Sequence, residues 1–173
     1  MKRWVRYGVW ALLALPGAGL LGGYALEVFS YGQALAISGE VSALLLLLAL
    51  VMGAVRRVMW RRPVGVASFG WAVLHLGIYL GRKWEGALSA ALEPELLTGW
   101  LALMIFLPLA ITSTRGWVRK LRGRWRKLHG WVWLAAGLTA AHWWLTAFEV
   151  TEAVIFVVAI ATLAALRAYR LYK

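Results

Sequence analysis

The sequence has no cysteine and no aspartate, and it has only three histidines among 173 residues. Without cysteine there are no disulfides, no cysteine-ligated iron–sulfur clusters, no thiolate zinc sites and no CxxCH attachment of c-type haem. Any metal must be held by His, Met or a glutamate carboxylate. Charge is also scarce. Charged residues make up 15% of the chain and hydrophobic ones 62%, against roughly 45–50% apolar content in an ordinary soluble domain. The composition is that of a membrane protein. A net charge of +12 would point to nucleic acid in a soluble protein. Here the basic residues fall in short blocks between apolar runs, which is the pattern of membrane topology, and no nucleic-acid partner is expected.

Windows of about 17–25 apolar residues give six candidate spans, at residues 7–26, 37–55, 64–80, 96–112, 128–145 and 150–166. Cytoplasmic loops collect Lys and Arg, so the charges can be sorted by connection. Lys2, Arg3 and Arg6 precede the first span, and Arg56, Arg57, Arg61 and Arg62 follow the second. Arg115, Arg119, Lys120, Arg122, Arg124, Arg126 and Lys127 follow the fourth, and Arg167, Arg170 and Lys173 end the chain. These alternate connections hold seventeen of the nineteen basic residues. The intervening ones hold every acidic residue: Glu27, Glu40, Glu85, Glu93, Glu95, Glu149 and Glu152. The alternation fits an even number of spans. The expected fold is all-α: a single domain over residues 1–173, a polytopic membrane bundle of six transmembrane helices with N- and C-termini cytoplasmic.

The first span has the basic start and apolar stretch of a signal peptide, but no convincing small-x-small site follows, and an uncleaved span fits the charge alternation. Gly17, Gly19 and Gly22 match GxGxxG, a dinucleotide signature only where a strand precedes and a helix follows. In an apolar helix beside Pro16, close helix packing is expected of them instead.

An ionisable residue inside a span is costly and calls for a functional explanation. All three histidines lie in spans or at their edges. His75 is on the third; His129 and His142 open and nearly close the fifth. At about 1.5 Å per residue, His75 lies about 16 Å above Val64 and His142 about 21 Å above Leu128. The two share a level near the outer face, and His129 lies about 20 Å below, at the cytoplasmic edge. Level imidazoles on two helices suit bis-His ligation of a b-type haem, whose iron takes axial ligands from opposite sides of the ring. Gly70 and Gly77 near His75, and Gly130, Gly137 and Ala141 on the fifth span, are expected to leave room for a macrocycle. The competing explanation is that each histidine only hydrogen-bonds a neighbouring helix. No fourth histidine exists to pair with His129, so it serves a second, inner haem with another ligand, or its edge.

The stretches LPLAITSTRGWVRKL and WRKLHGWVWLAAGLTAAHWWL resemble the MsrQ (YedZ) family, the haem-binding membrane subunit of the bacterial MsrPQ protein-methionine-sulfoxide reductase system, within the wider ferric-reductase-like transmembrane group. The likeness extends upstream through ISGEVSALLLLLALVMGAVRRV and RRPVGVASFGWAVLHLGIYL, covering most of residues 37 to 145. The resemblance implies a six-helix b-haem protein of the bacterial inner membrane that passes electrons outward to a periplasmic molybdopterin methionine sulfoxide reductase. It also implies haem histidines at His75, His129 and His142, and a donor that is either membrane quinol or a cytoplasmic flavin reductase, with FMN as a further cofactor. The chain departs from the family where Gly53, Ala54 and Val55 replace the usual Thr-Pro before the paired arginines. The wider group's flavin and nicotinamide domain has no counterpart here, so the electrons are expected from another molecule.

The segment from Thr112 to His129 spaces Trp117, Val118, Leu121, Trp125 and Leu128 at near-helical intervals among seven basic residues. Such a helix lies on anionic headgroups, each basic residue contributing on the order of 1 kcal/mol, so membrane lipid is an expected partner. The same face, with Arg61, Arg62, Thr112, Ser113, Thr114 and Arg115, is a candidate docking patch for a flavin phosphate or an acidic reductase. Aromatic belts account for most of the twelve tryptophans, including Trp4, Trp60, Trp84, Trp100 and Trp125. Trp71, Trp131, Trp143, Phe69 and Tyr79 are candidates to pack on porphyrin. The resulting expectation is an electron-transfer subunit with no substrate chemistry of its own. The alternatives are a ferric-reductase-like or quinol-oxidising cytochrome b with another acceptor, or a small transporter, which would need polar residues across the midplane of several spans.

Overall fold

The computed structural model describes residues 3–55, 58–83, 93–147 and 150–172. Arg56, Arg57, Trp84, Glu85, Glu149, Lys2 and Lys173, and the side chains of Arg3, Trp4 and Arg6, lie outside the described residues. Among those described there are eight α-helices and no strand. They are α1 (Arg3–Ala25), α2 (Tyr31–Ala54), α3 (Val58–Lys83), α4 (Pro94–Ile111), α5 (Arg115–Leu121), α6 (Gly123–Gly130), α7 (Val132–Thr146) and α8 (Val150–Tyr172).

Local signals account for several starts. The Ser30 hydroxyl accepts the Gln33 N–H while the Gln33 side chain accepts the Ser30 N–H, closing a capping box at α2. Pro94 opens α4, where its missing N–H costs nothing. The Thr114 hydroxyl caps α5. Among the described residues, three helices are long and apolar enough to cross a membrane: Tyr31–Ala54, Trp60–Arg82 and Val150–Arg170. A fourth joins them if α4 and α5, bent by 93°, count as one broken span. The apolar part of α1, Trp10–Ala25, and the 15-residue α7 are shorter.

The expected continuous run over residues 128–145 is interrupted at Trp131, which separates α6 from α7. The basic segment, expected as one near-helical face, likewise splits at Arg122, whose φ of 47° lies in the left-handed region. Gly123 and Gly130 stand beside the two breaks, and glycine is the poorest helix former short of proline. The amphipathic pattern is real, but it is carried by two short helices.

α2 packs along α3 and α4 along α7, with α8 against α7 and α2 and α1 against α3 and α2. At the α2–α3 contact the Ser42 hydroxyl donates to the Ser68 carbonyl and the Ser68 hydroxyl to the Ser42 carbonyl, both at 2.9 Å. Small polar residues that let backbones approach and then bond across are the usual adhesive of helices in lipid. The larger core joins α2, α4, α7 and α8 through Leu46, Leu50, Phe106, Ala135, Ala136 and Phe156. A smaller one joins α1, α2 and α3 around Leu20, Ala34, Trp71 and Ile78. Of the three glycines in the first span, Gly17 faces Trp71 and Leu74 at ordinary contact distance, whereas Gly19 and Gly22 face open space. Outward-facing Leu12, Met104 and Ile155 are each more than 60% exposed, as expected of side chains that meet lipid rather than water.

Candidate functional site

α3 carries His75 and α7 carries His142, and the fold brings the two rings together with their centroids 6.3 Å apart and their planes at 85°. Each ring is held by a neighbouring helix. His75 Nδ1 lies 2.9 Å from the Leu35 carbonyl on α2, and His142 Nδ1 lies 2.7 Å from the Glu95 carbonyl on α4. Only a protonated Nδ1 can donate to a carbonyl, so both rings are Nε2-basic tautomers when neutral. Neither Nε2 has a hydrogen-bond partner among the described residues. Metal-ligating histidines characteristically place one ring nitrogen on a carbonyl or carboxylate and leave the other for the metal.

The spacing tests the fit to haem. An iron bonded to both rings at about 2 Å holds their centres about 6 Å apart, and the observed separation matches. Among the described residues, no three His, Cys, Asp or Glu gather into a site for a bare metal ion. Two imidazoles at this separation suit an iron whose remaining ligands come from a macrocycle.

Glycine lies against each ring. A Cβ built on Gly39 would stand 3.1 Å from His75 Cε1 and Nδ1, and one on Gly99 would stand 2.9 Å from His142 Cε1. Gly70, Gly77 and Gly137 have nothing within 4 Å of such an atom and are exposed. Gly137 instead borders a shallow groove between α7 and α8 with Ala140, Ala141 and Trp144. Sequence reasoning missed Leu35, Gly39, Glu95 and Gly99. The available signal was a glycine one helical turn after the bonding carbonyl, at the outer end of each bracing helix.

His129 is bonded the other way round. Its Nε2 lies 3.0 Å from the Thr112 hydroxyl, which itself donates to the Pro108 carbonyl at 2.6 Å. A hydroxyl has one proton, so Thr112 accepts from His129 and Nε2 carries the hydrogen. Trp125 stacks on the His129 ring at 4.0 Å and donates its Nε1–H to the Thr112 carbonyl. Arg62 lies over the Trp125 ring at 5.5 Å, and its Nε is buried without a hydrogen-bond partner among the described residues. Arg61 packs over Gly53, Arg167 lies over Trp133, and Arg170 donates to the Ala54 carbonyl at the end of α2. One end of the bundle is therefore cationic and aromatic, while Glu95 and the outer histidines stand at the other.

Arg61, Arg62 and Thr112 are brought together at this cationic end. The Ser113 hydroxyl is spent on the Leu109 carbonyl, Thr114 caps α5, and Arg115 is exposed. Among the aromatics expected near porphyrin, Trp71 is buried with its Nε1–H on the Leu13 carbonyl, Trp143 packs on Phe156, and Trp131 is exposed.

Residues 34–140 match the family described as "Ferric reductase like transmembrane component". The match includes His75 and His129 and stops just short of His142. Curated relatives carry the name protein-methionine-sulfoxide reductase heme-binding subunit MsrQ. That of Xanthomonas oryzae pv. oryzae is 31% identical over 119 residues, 65% of this chain and 55% of the relative. That of Xanthomonas axonopodis pv. citri is 32% identical over 122 residues, 67% and 55%. That of Deinococcus radiodurans is 42% identical over 92 residues, 49% and 44%. The chain thus spans about half the length of the curated relatives it matches. No solved structure matches the chain. A helical bundle with two adjacent imidazoles, a family match over more than half of its length and MsrQ relatives agree: the chain belongs to the ferric reductase like transmembrane component family, on its MsrQ branch.

Proposed function

We propose that the protein is a b-type haem electron-transfer subunit of the MsrQ kind. It carries electrons from a cytoplasmic-side donor, quinol or a reduced flavin such as FMN bound to a reductase, to a periplasmic molybdopterin methionine sulfoxide reductase. The observation that carries this reading is the His75–His142 pair, separated by 6.3 Å with both Nδ1 atoms tied to backbone carbonyls. Haem iron supplies reversible one-electron chemistry when bound. The residues contribute the rest: His75 and His142 ligate, the Leu35 and Glu95 carbonyls orient them, and the apolar helices keep water from the path.

The topology of this reading is six spans with both termini cytoplasmic, in a bacterial inner membrane. It draws support from the alternation of basic and acidic connections and from the gathering of Arg61, Arg62, Arg167 and Arg170 at one end. His129, its Nε2 engaged by Thr112 and its face covered by Trp125, belongs on this account to the electron-entry side. A ferric-reductase-like cytochrome b with a different acceptor is the second reading, favoured by the family match itself. Absorption spectra of purified protein, oxidised and then dithionite-reduced, test the haem. A Soret band with sharp reduced α and β bands is expected, and a featureless visible region from haem-replete cells overturns the proposal. Reoxidation by a purified methionine sulfoxide reductase, against none by ferric chelates, separates the two acceptors.

A further inference from the structure

The two rings of the outer pair sit in seats of the same construction on different helices. On α2, the Leu35 carbonyl accepts from His75 Nδ1 and Gly39, four residues later, lies against the Nδ1–Cε1 edge of the ring. On α4, the Glu95 carbonyl accepts from His142 Nδ1 and Gly99, again four residues later, lies over the ring, nearest Cε1 and Nδ1. In a helix the carbonyl of residue i already accepts the N–H of residue i+4. A second donor must use the remaining lone pair and approach across the side chain of residue i+4. A glycine at i+4 clears that approach. The separations are tight: an added methyl would be 3.1 Å from the His75 ring and 2.9 Å from that of His142. Ser38 closes the first seat further, its hydroxyl donating to Leu35 and lying 3.3 Å from His75 Nδ1.

A ring held at Nδ1 by a bond and on one face by backbone has lost its freedom to turn about the axis through Nε2. The angle between the rings is then set by the two bracing helices and not by whatever lies between the rings. That angle is 85°.

We propose that the Leu35/Gly39 and Glu95/Gly99 seats are positioning elements that hold the axial imidazoles crossed, so that haem bound between His75 and His142 has near-perpendicular axial planes. The inference rests on the haem reading above and adds what that reading leaves open, the electronic state of the iron site. Axial imidazole orientation and hydrogen bonding are levers by which a protein tunes a haem. Crossed planes leave the iron d orbitals nearly degenerate, and the oxidised low-spin centre then has a single feature at very high g. Parallel planes split those orbitals and give a rhombic, three-line signal.

The test is low-temperature electron paramagnetic resonance of the oxidised full-length protein, with haem content measured on the same samples. Wild type is expected to give the high-g signal. Gly99→Ala must displace the His142 ring, and Gly39→Ala, with slightly more room, the His75 ring. Each is expected to retain haem and to move the signal toward the rhombic form, with a shifted midpoint potential. Gly22→Ala, whose new methyl meets nothing within 4 Å, is expected to leave the signal as it was. A haem-loaded wild type with a rhombic signal overturns the crossed geometry while leaving the haem reading intact. A high-g signal unchanged in both seat variants overturns the role of the glycines. Wild type without haem overturns both readings. Should Gly99→Ala fail to fold, Gly39→Ala and the wild-type spectrum still decide.

Discussion

Trp125 lies face to face on His129, with ring centres 4.0 Å apart and planes 24° from parallel. The contact sets His129 apart from His75 and His142, which among the described residues stack on no tryptophan face and keep Nε2 free of hydrogen bonds. His129→Ala is expected to leave the haem content and the dithionite-reduced spectrum unchanged. It should slow reduction by quinol or reduced flavin by about tenfold, equivalent to about 1.4 kcal/mol. Stopped-flow reduction followed at the Soret band measures this, and loss of the haem itself in this variant would show that His129 is a ligand after all.

Arg61 and Arg62 stand close enough to His129 for their charges to act on it, as Arg167 does on Arg61. Every glutamate among the described residues lies toward the other end of the spans, so an anion from outside the chain is what this end attracts. The double variant R61Q/R62Q should raise the KM for an anionic donor such as a reduced flavin phosphate about threefold to tenfold, in keeping with the weight of charge pairs at partly solvated surfaces. It should also flatten the dependence of that KM on ionic strength. An uncharged quinol should be used as before; equal losses with both donors would point to damage rather than docking.

The reciprocal Ser42–Ser68 bonds give a stability prediction. Ser42→Ala and Ser68→Ala each remove one hydroxyl donor and are expected to cost about 0.5–1.5 kcal/mol. The double variant should depart from the sum, because the two hydroxyls bond across one helix contact and their losses couple. Equilibrium unfolding in mixed detergent micelles, followed by circular dichroism, provides the values. No change in either single variant would mean that the bonds re-form with other groups.

The apolar runs, the sidedness of charge and the three histidines could all be read in the sequence because each is a property of local composition. His75 and His142 could be matched in depth because helical rise is nearly constant. What could not be read is what depends on two helices at once. Gly39 and Gly99 look like any glycine in an apolar helix until the facing imidazole is known. The breaks at Arg122 and Trp131 were hidden for another reason. A hydrophobic repeat continues across a helix interruption when both pieces lie on the same surface, so periodicity alone reads through it. Thr112 was identified as one hydroxyl of the docking patch, but its role as the hydroxyl that fixes the His129 tautomer came only from the contact itself.

The most direct measurement is the haem-to-protein ratio, with reduced-minus-oxidised spectra, in membranes containing wild type, His75→Ala, His142→Ala and His129→Ala at matched expression. The account predicts that the bis-imidazole spectrum disappears in the first two variants and persists in the third. Haem content and spectrum equal to wild type in both His75→Ala and His142→Ala would contradict it.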